Sequence, residues 1–264
     1  MTRPSSRKKN APVSSKAISK IKFLEIDGME MACQLTILDS FLFNRITPIE
    51  CIYKAWCQKE EWMASNIKMS LRVHRQITNW FARAILLEKD TIRRIALIEH
   101  IINIANRCNL LFNFNTTMAI LNCLSLKQVQ NLKQTWQFVN PKAKATLEHL
   151  YRFMDPNTNF REYRDRIIRL AQEHTIVTVP FLELILQDYE EKPEFDASDM
   201  IEEIETFQHT YSIPVIPEIQ AFIDLCLREH GHQKDFDRLA VMLDEDINDE
   251  NLYLFMLGNP RLSS

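Results

Sequence analysis

From Ile95 onward, apolar side chains recur at steps of three and four: Ile95, Ile98, Ile101, Ile102, Ala105 and Cys108. That spacing draws one stripe down a helix and predicts that the stripe faces a core. Leu97, Ile104 and Leu111 widen it until most of the circumference is apolar. A helix tolerates this only when neighbours cover it on several sides, so residues 93–120 form the centre of the chain. A polar break follows, Asn113-Phe114-Asn115-Thr116-Thr117, and then a second apolar run over 118–126. Asn and Thr bond their own backbone and favour a stop with a fresh N-cap over a continued helix. The residues alone read as a tight corner between two buried helices, with a binding role as the alternative.

The same periodicity predicts helices along the rest of the chain. One spans 27–43, with Met31, Leu35, Leu38 and Leu42 on one face. In Thr47-Pro48-Ile49-Glu50, Thr47 caps, Pro48 supplies the fixed φ of the first helical position and Glu50 reaches back to the cap amide. The helix begun there is expected to end before Trp62. Ser65 and Asn66 are expected to cap a helix over 67–87, whose bulky face carries Ile77, Trp80, Phe81, Ala84 and Ile85. Leu132 and Trp136 mark a short helical piece, Pro141 opens a helix over 143–153, and Asp155-Pro156-Asn157 is a turn signal. Phe160, Tyr163, Ile167, Ile168 and Leu170 return to helical spacing until Val177-Thr178-Val179-Pro180 imposes extended backbone before a helix over 181–189.

Beyond that helix the chain turns acidic: Glu190, Glu191, Glu194, Asp196, Asp199, Glu202, Glu203 and Glu205. Asp199, with Glu202 at the reciprocal capping position, is expected to start a helix running to about His209. Two helices joined by residues 192–196 would make a helical hairpin; a solvated acidic surface loop is the alternative. Further helices are expected over 217–227 and 236–243, and a loop over 245–250.

Composition removes whole classes of chemistry. The chain has 264 residues, 46% hydrophobic and 25% charged, as one soluble globular domain would. Its 3 glycines stand alone at Gly28, Gly231 and Gly258, where average usage of about 7% would supply many more. This scarcity favours helix nearly throughout and forbids both a Walker A loop and a Gly-x-Gly-x-x-Gly fingerprint. The protein is expected to hold no nucleotide of its own and to need no cofactor. Six cysteines without a Cys-x-x-Cys pair read as reduced thiols of a cytoplasmic protein, and no His/Cys cluster has metal spacing, His230-Gly-His232 included. No Gly-x-Ser-x-Gly motif supplies a nucleophile.

The formal charge of -3 gives no electrostatic footprint for nucleic acid. Residues 1–20 are the exception, with Arg3, Arg7, Lys8, Lys9, Lys16 and Lys20 among Ser, Pro and Ala. They read as a disordered basic tail, either in contact with an acidic membrane surface or merely solvated. No run of 18 apolar residues occurs, so no membrane span is expected.

Three ordered blocks carry a resemblance. The stretch 94–121, RIALIEHIINIANRCNLLFNFNTTMAIL, resembles the second block of the catalytic domain of Ras-type guanine-nucleotide exchange factors, the son-of-sevenless family. Upstream, Ala32-Cys33-Gln34-Leu35-Thr36 with Phe43, Ile46, Pro48-Ile49-Glu50 and Ala55-Trp56 resembles the first block. Downstream, Asn159-Phe160-Arg161-Glu162-Tyr163-Arg164 and Val179-Pro180-Phe181-Leu182 resemble the third, with Leu132-Lys133-Gln134-Thr135-Trp136 matching a segment between. The similarity covers roughly 21–254.

This resemblance implies an all-α fold: a single multi-helix domain over 21–257 with a protruding, shortened helical hairpin, a tail over 1–20 and another over 258–264. It implies a Ras-superfamily small GTPase as partner and GDP release without covalent chemistry. Carried onto matching positions, the grip surface would comprise Cys33, Met118, Asn122, Ser125, Lys127, Gln130, Phe160, Pro180 and Phe181, with Met118 and Phe181 lining an apolar pocket. Asn113 and Asn115 would brace the corner behind it. The wedge would be 180–194, with Asp188, Glu190, Glu191 and Glu194 as the carboxylates facing the nucleotide site. Several positions depart from the family pattern. Glu183 replaces the usual Gly, Glu190 an apolar wedge residue, Cys33 a charged residue, Ser125 an amide and Asn131 an Arg, and the segment between Tyr189 and Ile201 is short by roughly twenty residues, some 30 Å of helix. An exchange-inactive docking module with the same fold is the alternative.

Overall fold

A computed structural model describes residues 22–230 apart from 174, 175, 193 and 195. The tail over 1–20 and the elements expected over 236–243, 245–250 and 258–264 lie outside the described residues. Within them the chain is helical and carries a single isolated β-bridge.

The order is α1 (Gly28–Phe43), α2 (Pro48–Cys51), α3 (Ser65–Leu87), α4 (Thr91–Leu110), α5 (Phe114–Ser125), α6 (Lys127–Gln130), α7 (Lys133–Phe138), α8 (Pro141–Phe153), α9 (Arg161–Glu173), α10 (Leu182–Glu191), α11 (Ala197–Thr206) and α12 (Pro217–His230). The stripe read from the sequence is the inner face of α4, where Ile98, Ile101, Ile104, Ala105 and Cys108 are fully buried. Helices α1, α3, α5 and α8 pack around it. Each buried Ile contributes roughly 1.5–3 kcal/mol, which makes α4 the energetic centre of this first core. A Cβ at Gly28, where α1 begins, would meet the Asn103 side-chain amide of α4, so that side chain would have to shift.

A second apolar cluster joins Phe43, Ile46, Cys51, Ala55, Trp56, Ala64 and Ile67 to Val179, Leu182, Ile185, Leu186, Tyr189, Met200, Ile204 and Phe207. It docks the hairpin α10–α11 on the segment 43–67. The hairpin therefore lies against the body along an apolar face instead of standing free.

Local chemistry explains three departures from the sequence reading. The capping box at Thr47–Glu50 forms, but α2 stops at Cys51 and Ile52–Cys57 continues as 3-10 helix, with Lys54 at φ 51°. Helix α3 begins at Ser65, and its first amides are satisfied from outside: buried Glu50 accepts from the backbone N–H of Asn66 at 2.8 Å and of Ile67 at 3.1 Å. One carboxylate thus serves two helix starts, complementing the partial positive charge of both. In the hairpin, Asp196 rather than Asp199 caps α11 by accepting from the Ser198 amide at 2.8 Å, and the helix ends at Thr206.

Candidate functional site

The polar break after α4 is a braced corner. Phe112 takes a left-handed φ of 56°, the chain reverses, and Asn113 caps α5 by accepting from the Thr116 amide at 3.0 Å. Behind it lies Asp39 of α1, only 1% exposed, which accepts from Asn115 Nδ2 at 3.2 Å and from Thr116 Oγ1 at 2.5 Å. Asn113 Nδ2 donates to Thr36 Oγ1 at 3.2 Å, and Thr117 Oγ1 donates to the Asn113 carbonyl at 2.7 Å. Asn113 and Asn115 thus each donate to a side chain of α1. Burial pushes the Asp39 carboxyl above its ordinary value, and the three side-chain donors around it only partly oppose that.

The corner is stitched to the lead-in of the hairpin. Phe114 N–H donates to the Val179 carbonyl at 2.9 Å, and Val179 N–H to the Phe112 carbonyl at 3.0 Å. This pairing sets Pro180 and Phe181 beside α5. Phe181, 4% exposed, has its ring centroid 6.0 Å from that of Phe160 and stacks on His74 of α3 at 5.7 Å with 27° between planes. Its amide donates to the Tyr163 hydroxyl at 3.0 Å. His74 is buried, and desolvation lowers its pKa to about 4, so the imidazole under Phe181 is neutral at physiological pH. Asn122 Nδ2 lies 3.4 Å from His74 Nε2. Phe160, at φ 54°, follows another left-handed residue, Asn159, at φ 53°. Such conformations are costly for residues bearing a Cβ and persist where surrounding structure fixes them.

The structure thus brings Asn122, Phe160, Pro180 and Phe181 to one place, with half-buried Met118 one helical turn from Asn122 on α5. Ser125, a further turn along, donates to the Tyr151 hydroxyl at 3.1 Å, and Gln130 Nε2 donates to the Leu124 carbonyl at 2.6 Å. Cys33 is half-buried on α1 and Lys127 is exposed at the start of α6. No hydrogen bond or ring contact joins Cys33 or Lys127 to the Phe181 cluster among the described residues.

The four hairpin carboxylates separate into two kinds. Asp188 is held: Arg164 of α9 donates to both its oxygens at 2.6 and 2.7 Å while also bonding the Asn159 carbonyl at 2.9 Å. Glu190 turns back toward the 52–57 segment, accepting from the Trp56 indole N–H at 2.8 Å. Glu191 is exposed, with Gln187 Nε2 at 2.8 Å, and Glu194 is exposed in the hairpin connection. Beneath the hairpin, an open groove of about 550 Å³ runs between α9 and α11, with Ile167 and Ile168 on one wall and Asp199, Glu202 and Glu203 on the other.

Sequence reasoning missed Asp39 and His74, and named Trp56 only within a family block, without its bond to Glu190. Asp39 alone among them carried a signal, a carboxylate on the apolar face of a predicted helix. The partners of all three come from distant elements.

A family model described as the RasGEF domain matches residues 30–216, which takes in the braced corner, the Phe181 cluster and the whole hairpin. The chain belongs to the RasGEF domain family. Among curated relatives of this RasGEF chain, cell division control protein 25 of Candida albicans is 29% identical over 226 residues, covering 78% of the chain and 17% of the relative. The Saccharomyces cerevisiae protein of that name is 28% identical over 248 residues, 86% of the chain and 15% of the relative. Ras guanine nucleotide exchange factor Y of Dictyostelium discoideum is 32% identical over 215 residues, 75% of the chain and 14% of the relative. The RasGEF chain thus spans about one sixth of the length of these relatives.

Proposed function

We propose that this chain accelerates GDP release from a Ras-superfamily small GTPase by binding the nucleotide-free GTPase more tightly than the loaded one. The observation that carries the reading is the RasGEF match over a body and a hairpin whose facing residues cluster around Phe181. No bond is made or broken. By linkage, a partner that prefers the empty state a thousandfold weakens nucleotide by the same factor, about 4 kcal/mol.

In this reading Met118, Phe160, Pro180 and Phe181 form an apolar seat resting on neutral His74, and Asn122 adds an amide at its edge. Ser125, Lys127, Gln130 and Cys33 extend the contact around the body. Glu191 and Glu194 are the carboxylates free to face the phosphate and Mg²⁺ site of the GTPase, where negative charge repels phosphate and competes for the ion. Asp188 and Glu190, engaged with Arg164 and Trp56, hold the hairpin instead. No described helix is long and apolar enough to cross a membrane. A cytoplasmic location, with peripheral contact through the basic tail, is part of the same proposal.

The test is release of fluorescent GDP from a panel of Ras-like GTPases. Acceleration is expected, with Met118→Asp raising the half-saturating concentration and Glu194→Lys lowering the maximal rate. A second reading, a docking module that binds without releasing nucleotide, is favoured by one observation: Glu190 is clasped inward, not presented. Stable binding with an unchanged GDP off-rate would select it.

A further inference from the structure

The outer end of α10 is gripped by contacts that neither the core nor the Phe181 cluster requires. Glu190 is exposed, yet its Oε1 accepts from Trp56 Nε1–H at 2.8 Å and from the Cys57 thiol at 2.9 Å. Its main-chain carbonyl accepts from the Lys54 ammonium at 2.8 Å. All three donors come from one 3-10 segment, 133 to 136 residues away in sequence. Lys54 is held there in a left-handed conformation that a side-chain-bearing residue adopts only under constraint. Trp56 is itself buried in the second cluster, so its indole N–H has a fixed direction and points at Glu190. The Cys57 thiol, pushed up to about 11 by burial and by the adjoining carboxylate, stays protonated and able to donate.

Asp188 and Glu190 lie two residues apart, roughly 200° around the helix. Arg164 therefore grips α10 from one side and the 52–57 segment from the other. We infer that Glu190 is a positioning residue, whose clasp on Trp56, Cys57 and Lys54 fixes the direction in which the hairpin presents Glu191 and Glu194. The consequence for nucleotide release rests on the exchange reading; the clasp itself does not. It also gives the acidic residue at this position, where the family pattern has an apolar one, a role inside the chain.

Four variants of the full chain test the inference: Glu190→Ala, Glu190→Gln, Trp56→Phe and the double Trp56→Phe/Glu190→Ala. Phe keeps an aromatic ring, smaller than the indole, in the second cluster and removes the donor, and Gln keeps the acceptor. Amide hydrogen exchange over 187–192 is expected to quicken about tenfold in Glu190→Ala and Trp56→Phe, while amides of α4 around Ile98 keep their protection. The double variant should be no faster than Glu190→Ala, and Glu190→Gln should stay within about threefold of wild type. Unchanged exchange in Glu190→Ala, or fully additive effects, overturns the clasp. With a responsive GTPase, Glu190→Ala should lower the maximal rate of fluorescent GDP release about tenfold with half-saturation within about twofold. A raised half-saturation with the maximal rate intact would put Glu190 against the GTPase and overturn the positioning role. Should the wild-type chain release GDP from none of the panel, the exchange reading falls and amide protection alone decides the clasp.

Discussion

The two apolar clusters are built on different principles. The first is centred on α4, whose stripe of Ile and Ala repeats at helical spacing and packs against apolar residues drawn from Ile26 to Leu227. The second joins segments far apart in sequence, 43–67 and 179–207, and its edges are finished by polar contacts: Glu50 on the start of α3, Arg164 on Asp188, Trp56 on Glu190. The first cluster fixes shape through volume. In the second, directional bonds fix the pose of the hairpin on an apolar bed, and directional bonds are where single substitutions change geometry with modest loss of stability.

That contrast can be broken by cavities. Ile98→Ala in the first cluster is expected to cost about 4 kcal/mol, read as a lower urea midpoint at unchanged slope. Leu186→Ala in the second should cost about 2–3 kcal/mol, with hydrogen exchange quickening first over α10 and α11. Equal and global effects from both would merge the two clusters into one cooperative unit. Asp39→Ala tests the polar brace within the first cluster. It leaves Asn115 Nδ2 and Thr116 Oγ1 buried without their acceptor and should cost about 3 kcal/mol by chemical denaturation. Arg164→Met removes a pair about one third exposed, so the expected loss is about 1 kcal/mol and should shrink further in high salt.

The mildest test is titration. The Asp39 carboxyl is raised above its ordinary value in the folded chain, so the unfolded chain gives up this proton first as pH rises. Its contribution to stability is therefore complete below the unfolded pKa of about 3.9 and declines as pH climbs through the raised folded value. Relative to Asp39→Asn, the wild-type chain should lose stability across that window and run parallel above it; a difference that grows with pH would refute the assignment.

Much of the first cluster was legible because α4 repeats one residue type on one face and because Asn113 carries a short-range capping signal, as Thr47-Pro48-Ile49-Glu50 does beside the second cluster. The resemblance also names Met118, Phe160 and Phe181, and in the fold Phe160 and Phe181 lie in ring contact. What local pattern could not show was any bond closed over distance. Glu50 was read as capping its own helix, yet it also caps α3, 16 residues on. The spacing of Asp199 and Glu202 predicts a capping box, yet Asp196 caps α11, which begins at Ala197. The resemblance sets Glu190 among the carboxylates facing the nucleotide site, whereas in the fold its Oε1 accepts from the Trp56 indole N–H.

Val179 sits on the seam between the two clusters, its amide and carbonyl both paired with the chain on either side of Asn113. A one-residue slip there would swap its inward and outward side chains, so the base of the hairpin cannot be lengthened or shortened from below. Added length is expected to be accommodated beyond Glu191, where α10 ends. A hairpin transplanted from a longer-armed relative should therefore be spliced beyond Pro180 and rejoined before Phe207, leaving the seam of the recipient uncut.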